Sequence, residues 1–140
     1  MEWFYMKKFD NFCKALNNLE EGTKLTEPYS VVEQAGIAGL FEICFEQSWK
    51  LMKEVLEQHG RFDEKIGSPR SIIKIAYQSG MIDNSDVWLS LLESRNILSH
   101  TYSDAESLAI IRKINSDYIS VLEDLRAEIE NNWLPGLTES

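Results

Sequence analysis

The sequence has few of the residues that cross-link, ligate or interrupt a small protein. Its 140 residues include two cysteines, two histidines, three prolines and seven glycines. Cys13 and Cys44 lie in apolar helical patterns, which favours reduced core thiols over a disulfide or a zinc pair. Because His59 and His100 are the only imidazoles, we expect neither a metal site nor a cofactor.

The motifs of common nucleotide-handling enzymes are missing as well. The sequence has no glycine-rich phosphate loop with Lys and Ser/Thr, no Gly-x-Gly-x-x-Gly after a strand, and no serine elbow. It also lacks the pair of aspartates, one residue apart, that polymerase-type active sites use. The chain by itself is therefore not expected to be a nucleotidyltransferase catalytic domain.

Long apolar runs and excess positive charge are also lacking. The apolar residues after Met1 are too few for a signal peptide, and later apolar runs are broken well short of a membrane span. We therefore expect a cytoplasmic protein with no membrane partner. The formal net charge of −9 argues against broad binding to nucleic acid, because such binding neutralises phosphates with Lys and Arg. We expect no DNA partner and, at most, a local contact with RNA.

The sequence does contain strong helical periodicity. With 44% hydrophobic and 26% charged residues, residues 1–140 have the composition and length of a single folded domain. Apolar residues recur three and four positions apart, without sustained alternation. We predict an all-α fold, namely an up-and-down four-helix bundle with an additional short helix, and frayed ends at residues 1–7 and 133–140.

Capping residues and glycines set the predicted boundaries of five helices, at about residues 8–21, 30–59, 68–80, 83–98 and 103–132. Ser68-Pro69 is a typical start for the third helix, and Ser103 with Glu106 has the spacing of a capping box at the start of the fifth. The first three helices are each predicted to stop at a glycine, the first of them in a left-handed conformation: Gly22, Gly60 and Gly80.

The second helix contains two interior glycines, Gly36 and Gly39. Each costs about 1 kcal/mol relative to alanine, so we expect another helix to approach closely there. The apolar spacing predicts that the buried stripe of this helix comprises Val31, Ala35, Ala38, Phe41, Phe45, Trp49, Met52 and Leu56.

The fourth predicted helix carries an arginine in line with its apolar residues. Arg95 follows Leu91 and Leu92 and precedes Leu98 on the same stripe. Burying an unpaired guanidinium is expensive, so Arg95 should line a cleft, an interface or a salt bridge.

The end of this helix gathers three side chains capable of chemistry within eight residues: Arg95, His100 and Tyr102. At about 100° per residue, Arg95, Ser99 and Tyr102 share one helix face, whereas His100 lies about 140° from Arg95. Convergence of the arginine and the histidine therefore requires either a loosened last turn or a second subunit.

Two interpretations of this segment follow from the residues. In the first, His100 is a general base toward a ribose 2′-hydroxyl and Arg95 stabilises charge on the adjacent phosphate. Asn96 supports the imidazole or a phosphate oxygen, and Tyr102 stacks on a base or accepts a transferred nucleotide. In the second, Arg95 pairs with a carboxylate of the second helix, Glu42 or Glu46, and His100 and Tyr102 only cap and pack a helical scaffold.

The sequence resembles the HEPN superfamily, small helical proteins that share an Arg, four to six residues, and then a His. Here the pattern is Arg95, four residues, His100, one residue, Tyr102. Further segments resemble the branch described as nucleotidyltransferase substrate-binding proteins. They are Pro69-Arg70, Gly80-Met81-Ile82-Asp83, Trp88-Leu89, Ser99-His100-Thr101-Tyr102 and, on the second helix, Phe45-Glu46-Gln47-Ser48-Trp49-Lys50.

This resemblance implies a homodimer that binds a small nucleotidyltransferase encoded nearby. Glu46, Trp49 and Ser99 become candidates for the same cleft by likeness and helical phase. In toxin-like relatives, the positions of Arg95 and His100 cleave RNA without a metal, and the partner silences the toxin by nucleotidylating the tyrosine matching Tyr102. We favour a substrate-binding or regulated partner subunit, ahead of a ribonuclease toxin and a non-catalytic scaffold.

Overall fold

A computed structural model describes residues 2–61, 67–100 and 103–138, and in these ranges each regular element is a helix. The first four are α1 (Glu2–Gly22), α2 (Val31–Gln58), α3 (Pro69–Gln78) and α4 (Ser85–His100). The predicted all-α class with five helices is confirmed. None of the described helices is both long and apolar enough to cross a membrane.

The fifth helix, α5, is one rod with two wide turns in it. Its α-helical segments are Asp104–Lys113, Ile119–Glu128 and Leu134–Thr138, and π-helical turns at Ile114–Tyr118 and Ile129–Trp133 join them. A π turn inserts an extra residue and so rotates the segment that follows. Along the rod the core-facing side remains apolar and buried, with Ile114, Tyr118, Leu122, Leu125, Ile129 and Trp133.

Side-chain caps begin the helices where the sequence predicts them. Ser30 and Glu33 form a reciprocal capping box before α2, with hydrogen bonds of 3.0 and 2.8 Å. Ser68 caps α3, and Pro69 occupies its first turn. At α4, Asn84 Oδ1 accepts a 3.2 Å hydrogen bond from the Val87 N–H, so the predicted start near residue 84 is confirmed.

Three predicted helix ends need correction. Gly22 is the last residue of α1 and does not have a positive φ, whereas Gly60 (φ 67°) and Gly80 (φ 80°) do. The helix α1 begins at Glu2, and α5 continues to Thr138. The predicted fraying is therefore absent where Tyr5 and Trp133 bury their rings, because the burial of such large side chains outweighs the cost of ordering a chain end.

Apolar side chains from all five helices meet in one cluster. The helix α2 packs against α1, α3, α4 and the first segment of α5, which places it centrally in the bundle. Phe45 of α2 and Trp88 of α4 lie with ring centroids 6.3 Å apart.

Both thiols are free, and burial raises the pKa of Cys44 to about 12, so this thiol remains protonated at neutral pH.

The first two turns of α2 differ from the predicted stripe. Val31 and Ala35 are exposed, while Ile37 is buried. A Cβ built on Gly36 or Gly39 would meet nothing within 4 Å, so none of the other described helices approaches either glycine. The expectation of close helix packing at these glycines within the chain is wrong, because the helix turns this face away from its own bundle.

A buried phenol links α5 to α4. The Tyr118 side chain is 1% exposed and its ring stacks on Phe41, with centroids 5.7 Å apart. Its oxygen lies 2.6 Å from Ser90 Oγ and 2.9 Å from Ser94 Oγ, and it donates to the Ser90 carbonyl at 3.3 Å. The residue after Ser94 is Arg95, so this network holds the helix just before the motif begins.

Replacing Tyr118 with phenylalanine should destabilise the bundle without disturbing ring packing. The change removes the partner of the buried Ser94 hydroxyl, and we expect the free energy of unfolding to fall by about 1–2 kcal/mol. Urea denaturation should show a lower midpoint with an unchanged slope. Tyr77→Phe, at an exposed position, is the matched control and should stay within about 0.5 kcal/mol of the wild type. Equal losses in both variants would contradict the role assigned to the Tyr118 hydroxyl.

Candidate functional site

Arg95 makes a salt bridge across the two central helices. Its Nη2 lies 2.7 Å from Glu46 Oε2, and the two side chains are only 25% and 34% exposed. Its Nη1 donates to Asn96 Oδ1 at 3.1 Å, and the guanidinium carbon lies 5.8 Å from the ring centroid of Phe45. Of the environments predicted for Arg95, the chain adopts the salt bridge, and Glu46 is the partner in place of Glu42.

Glu46 is the centre of this group of side chains. Its Oε2 also accepts a 3.0 Å hydrogen bond from Trp49 Nε1, and its Oε1 lies 3.5 Å from Lys50 Nζ. Partial burial raises the pKa of the Glu46 carboxyl, but the hydrogen bonds from Trp49 and Arg95 and the nearby positive charges outweigh it. The pKa is therefore lowered from 4.5, and Glu46 is ionised at neutral pH.

The next turn of α4 faces the preceding turn of α2. Ser99 Oγ lies 3.3 Å from Glu42 Oε2 and 3.0 Å from the Arg95 carbonyl. The candidates Glu46, Trp49, Asn96 and Ser99 therefore lie beside Arg95 on two facing helices.

His100 is apart from this group. The helix α4 continues to His100, so the last turn is not loosened as one alternative required. His100 is exposed, and its side chain makes no hydrogen bond to any residue in the described ranges. With about 140° between them around a continuous helix, Arg95 and His100 of one chain do not point to a common atom. Thr101 and Tyr102 lie outside the described residues.

A groove of about 370 Å³ runs beside the motif, between the start of α2, the end of α4 and the start of α5. Gln34 bridges two of its walls, since its Nε2 donates to Ser107 Oγ at 2.6 Å and to the Asp104 carbonyl at 2.9 Å. The sequence analysis missed both Gln34 and Ser107. No local pattern connects them, because 73 residues separate the pair.

A larger groove, of about 480 Å³, lies elsewhere, between the α3–α4 loop and the middle of α5. Trp88, Asp117 and Asp124 are among its lining residues, and no residue from Arg95 to His100 is. We therefore place the candidate site beside the smaller groove, whose lining includes Leu98 of the motif and Glu42, the partner of Ser99. Among the described residues, no group of three or more His, Cys, Asp or Glu side chains could hold a metal ion.

An apolar face of α2 adjoins the site and has no partner within the described chain. Val32 is 81% exposed and Ile43 is 55% exposed. Gly36 and Gly39 lie between them at intervals of four, three and four residues, so the four positions share one face of the helix. Glu46 is three residues beyond Ile43, and the apolar face therefore leads directly to the Arg95–Glu46 pair.

Comparison with known proteins gives this arrangement a family. A family profile described as "Nucleotidyltransferase substrate binding protein like" matches residues 7–131. A Haemophilus influenzae protein described as "Probable ribonuclease HepT" is 33% identical over 105 residues, which span 69% of this chain and 72% of the relative.

Two solved structures have the same bundle. A Shewanella oneidensis HEPN toxin, solved tri-AMPylated and in complex with an MNT antitoxin, superposes with a TM-score of 0.74 at 15% identity, over 90% of this chain and 96% of the toxin. A Haemophilus influenzae protein, described as having the fold of a substrate-binding domain of a nucleotidyltransferase, gives a TM-score of 0.64 at 24% identity, over 94% and 100%. At these sequence identities the two structural matches show only that the fold is shared. The family profile, which covers residues 7–131, shows more than the fold: the chain belongs to the nucleotidyltransferase substrate-binding-protein-like family.

Proposed function

We propose that this chain is the regulated partner subunit of a two-component system with a small nucleotidyltransferase. The observation that carries the proposal is the exposed end of α4, where the polar side chains of Asn96, Ser99 and His100 face solvent just before Tyr102. A second protein can approach such a helix end without unfolding the bundle. A nucleotidyltransferase partner also fits the family and the MNT complex of the structurally similar toxin.

In this proposal Tyr102 is the acceptor for the transferred nucleotide. The phenol oxygen attacks the α-phosphorus of a nucleoside triphosphate held by the partner, the bond to pyrophosphate breaks, and the phenol proton passes to a base or to solvent. The transfer adds negative charge two residues after His100 and seven after Arg95 in the sequence. It would therefore block the access of another phosphate to the same helix end.

Nucleotide transfer to Tyr102 is the first prediction of this proposal. The purified chain, incubated with the small nucleotidyltransferase encoded nearby, Mg²⁺ and ATP, should gain mass in whole adenylyl groups, as measured by intact mass spectrometry. Tyr102→Phe should prevent the first addition. Tyr77→Phe, which changes an exposed tyrosine on α3, should leave it intact. If neither a complex nor a modification forms with any of the four nucleoside triphosphates, the proposed partnership is wrong.

We further propose that two copies pair through the apolar face of α2. A second copy is the partner that fits, because the described part of one chain neither brings Arg95 and His100 together nor covers the exposed Val32 and Ile43. Gly36 and Gly39 give this face a shallow surface that lets a helix come close, and an isologous pairing would place two motifs side by side. The close approach expected at these glycines is thereby assigned to the partner copy.

Substitutions on this face should separate the dimer. Ile43→Asp places a charge on the face, and Gly36→Leu adds bulk there without a clash inside the bundle. Each should shift the protein from dimer to monomer by light scattering after gel filtration, with an unchanged helical spectrum. Tyr77→Asp introduces the same charge on another exposed apolar residue and should remain dimeric. Persistence of the dimer in both face variants would exclude this surface.

A metal-independent ribonuclease is the second candidate function. The curated relative described as a probable ribonuclease favours it, and so does the exposed imidazole of His100. His100 would take the proton of a ribose 2′-hydroxyl, whose oxygen attacks the neighbouring phosphorus as the bond to the 5′-oxygen breaks. The departing 5′-oxygen takes a proton from solvent. Arg95 of the other copy would stabilise the phosphate charge, because one chain does not bring the two side chains together.

Mixing variants tests the composite site directly. In EDTA, Arg95→Ala and His100→Ala should each be inactive on an RNA substrate. Co-refolded in equal amounts, they should recover about a quarter of the wild-type rate, because half of the dimers are mixed and each has one intact site. If the mixed variants recover no activity, Arg95 and His100 act in a site formed by one chain. If His100→Ala cleaves RNA as fast as the wild type, the ribonuclease function is rejected.

A further inference from the structure

The Arg95–Glu46 pair has the chemistry of a bound oxyanion. A guanidinium presents a planar fork of N–H donors that matches a carboxylate or a phosphate in the same way. In this chain Nη2 is directed to Glu46 Oε2 at 2.7 Å, and Nη1 is directed to Asn96 Oδ1 at 3.1 Å. A phosphate that approached Arg95 would therefore find the fork already engaged by the protein's own carboxylate.

The pair is placed where such competition matters. Arg95 is three-quarters buried and lies over the ring of Phe45, so its charge is less screened by water than that of a surface arginine. In the described part of the chain, two further arginine–carboxylate bridges, Arg112 with Glu27 and Arg126 with Glu20, lie outside the motif. Glu42, one turn before Glu46, contacts Ser99 and leaves Arg95 to Glu46.

Glu46 has partners that remain if Arg95 leaves. Trp49 Nε1 donates to the same oxygen at 3.0 Å, and Lys50 Nζ lies 3.5 Å from the other oxygen. Release of the arginine therefore does not leave the Glu46 carboxylate without a hydrogen-bond donor. Protonation does not release the arginine at neutral pH either, since the pKa of Glu46 is lowered.

We propose that Glu46 is an internal competitor that holds Arg95 until a phosphate group of RNA or a nucleotide displaces it. Anion affinity at the motif is thus set by exchange of one oxyanion for another, with Trp49 and Lys50 retaining the displaced carboxylate. The inference rests on the proposed function only in taking Arg95 as the phosphate contact.

The test measures binding of a short fluorescein-labelled 2′-O-methyl RNA in EDTA by anisotropy at fixed salt. This probe cannot be cleaved through a 2′-hydroxyl, so affinity is read without turnover. Glu46→Gln keeps an acceptor for Trp49 but removes the charge, and should bind about tenfold more tightly than wild type. Glu46→Asp retains the charge on a shorter side chain. Its gain in RNA affinity should be smaller than that of Glu46→Gln, which separates the effect of losing the Arg95 contact from the effect of losing the charge.

Two controls test whether the gain in RNA affinity of Glu46→Gln comes from Arg95. Glu42→Gln removes the same charge one turn away and should change affinity less than about twofold. Arg95→Ala in the Glu46→Gln background should abolish the gain. Equal gains from Glu42→Gln and Glu46→Gln, a gain that survives Arg95→Ala, or no gain in a folded Glu46→Gln protein would each overturn the proposal.

The outcome is independent of the partner. If Tyr102 is never nucleotidylated but Glu46→Gln binds more tightly through Arg95, the proposed partnership fails and the competitor role of Glu46 stands. If Tyr102 is nucleotidylated and the Glu46 variants bind RNA as the wild type does, the proposed partnership stands and the competitor role of Glu46 fails.

Discussion

Burial of one side of α2 is the constraint on which the rest of the structure depends. This helix packs against α1, α3, α4 and the start of α5, so the bundle is organised around it. A helix with neighbours on several sides has little freedom to rotate, because any rotation would expose Phe41, Phe45 and Leu51 to water. The orientation that buries these side chains also determines which residues of α2 face solvent and which face α4.

Two features of the candidate site follow from that orientation. Glu42 and Glu46 are turned toward α4, where they meet Ser99 and Arg95. Val32, Gly36, Gly39 and Ile43 are turned away from the bundle and remain uncovered. The polar group around Arg95 and the apolar face are therefore adjacent for a single physical reason, and a protein docking on one would reach the other.

On α4 the helix geometry divides the motif. Tyr118 secures the helix through Ser90 and Ser94, and the helix continues to His100. Arg95 falls on the side facing α2, whereas His100 falls on the solvent side. Arg95 is thus engaged by Glu46 and Asn96 while His100 is exposed, which is why the proposed joint action of the two residues is assigned to a second copy.

Much of the fold could be predicted from local patterns. The caps at Ser30 and Ser68 and the stops at Gly60 and Gly80 depend on hydrogen bonds and backbone angles within a few residues, so short segments carry the information. The chain ends and the exposed start of α2 could not be predicted in this way. The local pattern placed Val31 on a buried stripe and Trp133 in a frayed end, but Trp133 is buried in the bundle and Val31 is 81% exposed.

The sequence by itself determined the helical class, the capped boundaries and the segment that carries Arg95, His100 and Tyr102, because each of these follows from residue types at short spacing. Only the tertiary structure decided that Arg95 pairs with Glu46, that Gln34 reaches Ser107, and that Gly36 and Gly39 face away from the bundle. Those outcomes depend on how each helix is rotated about its axis. That rotation is set by packing among side chains far apart in the sequence, and no local pattern contains it.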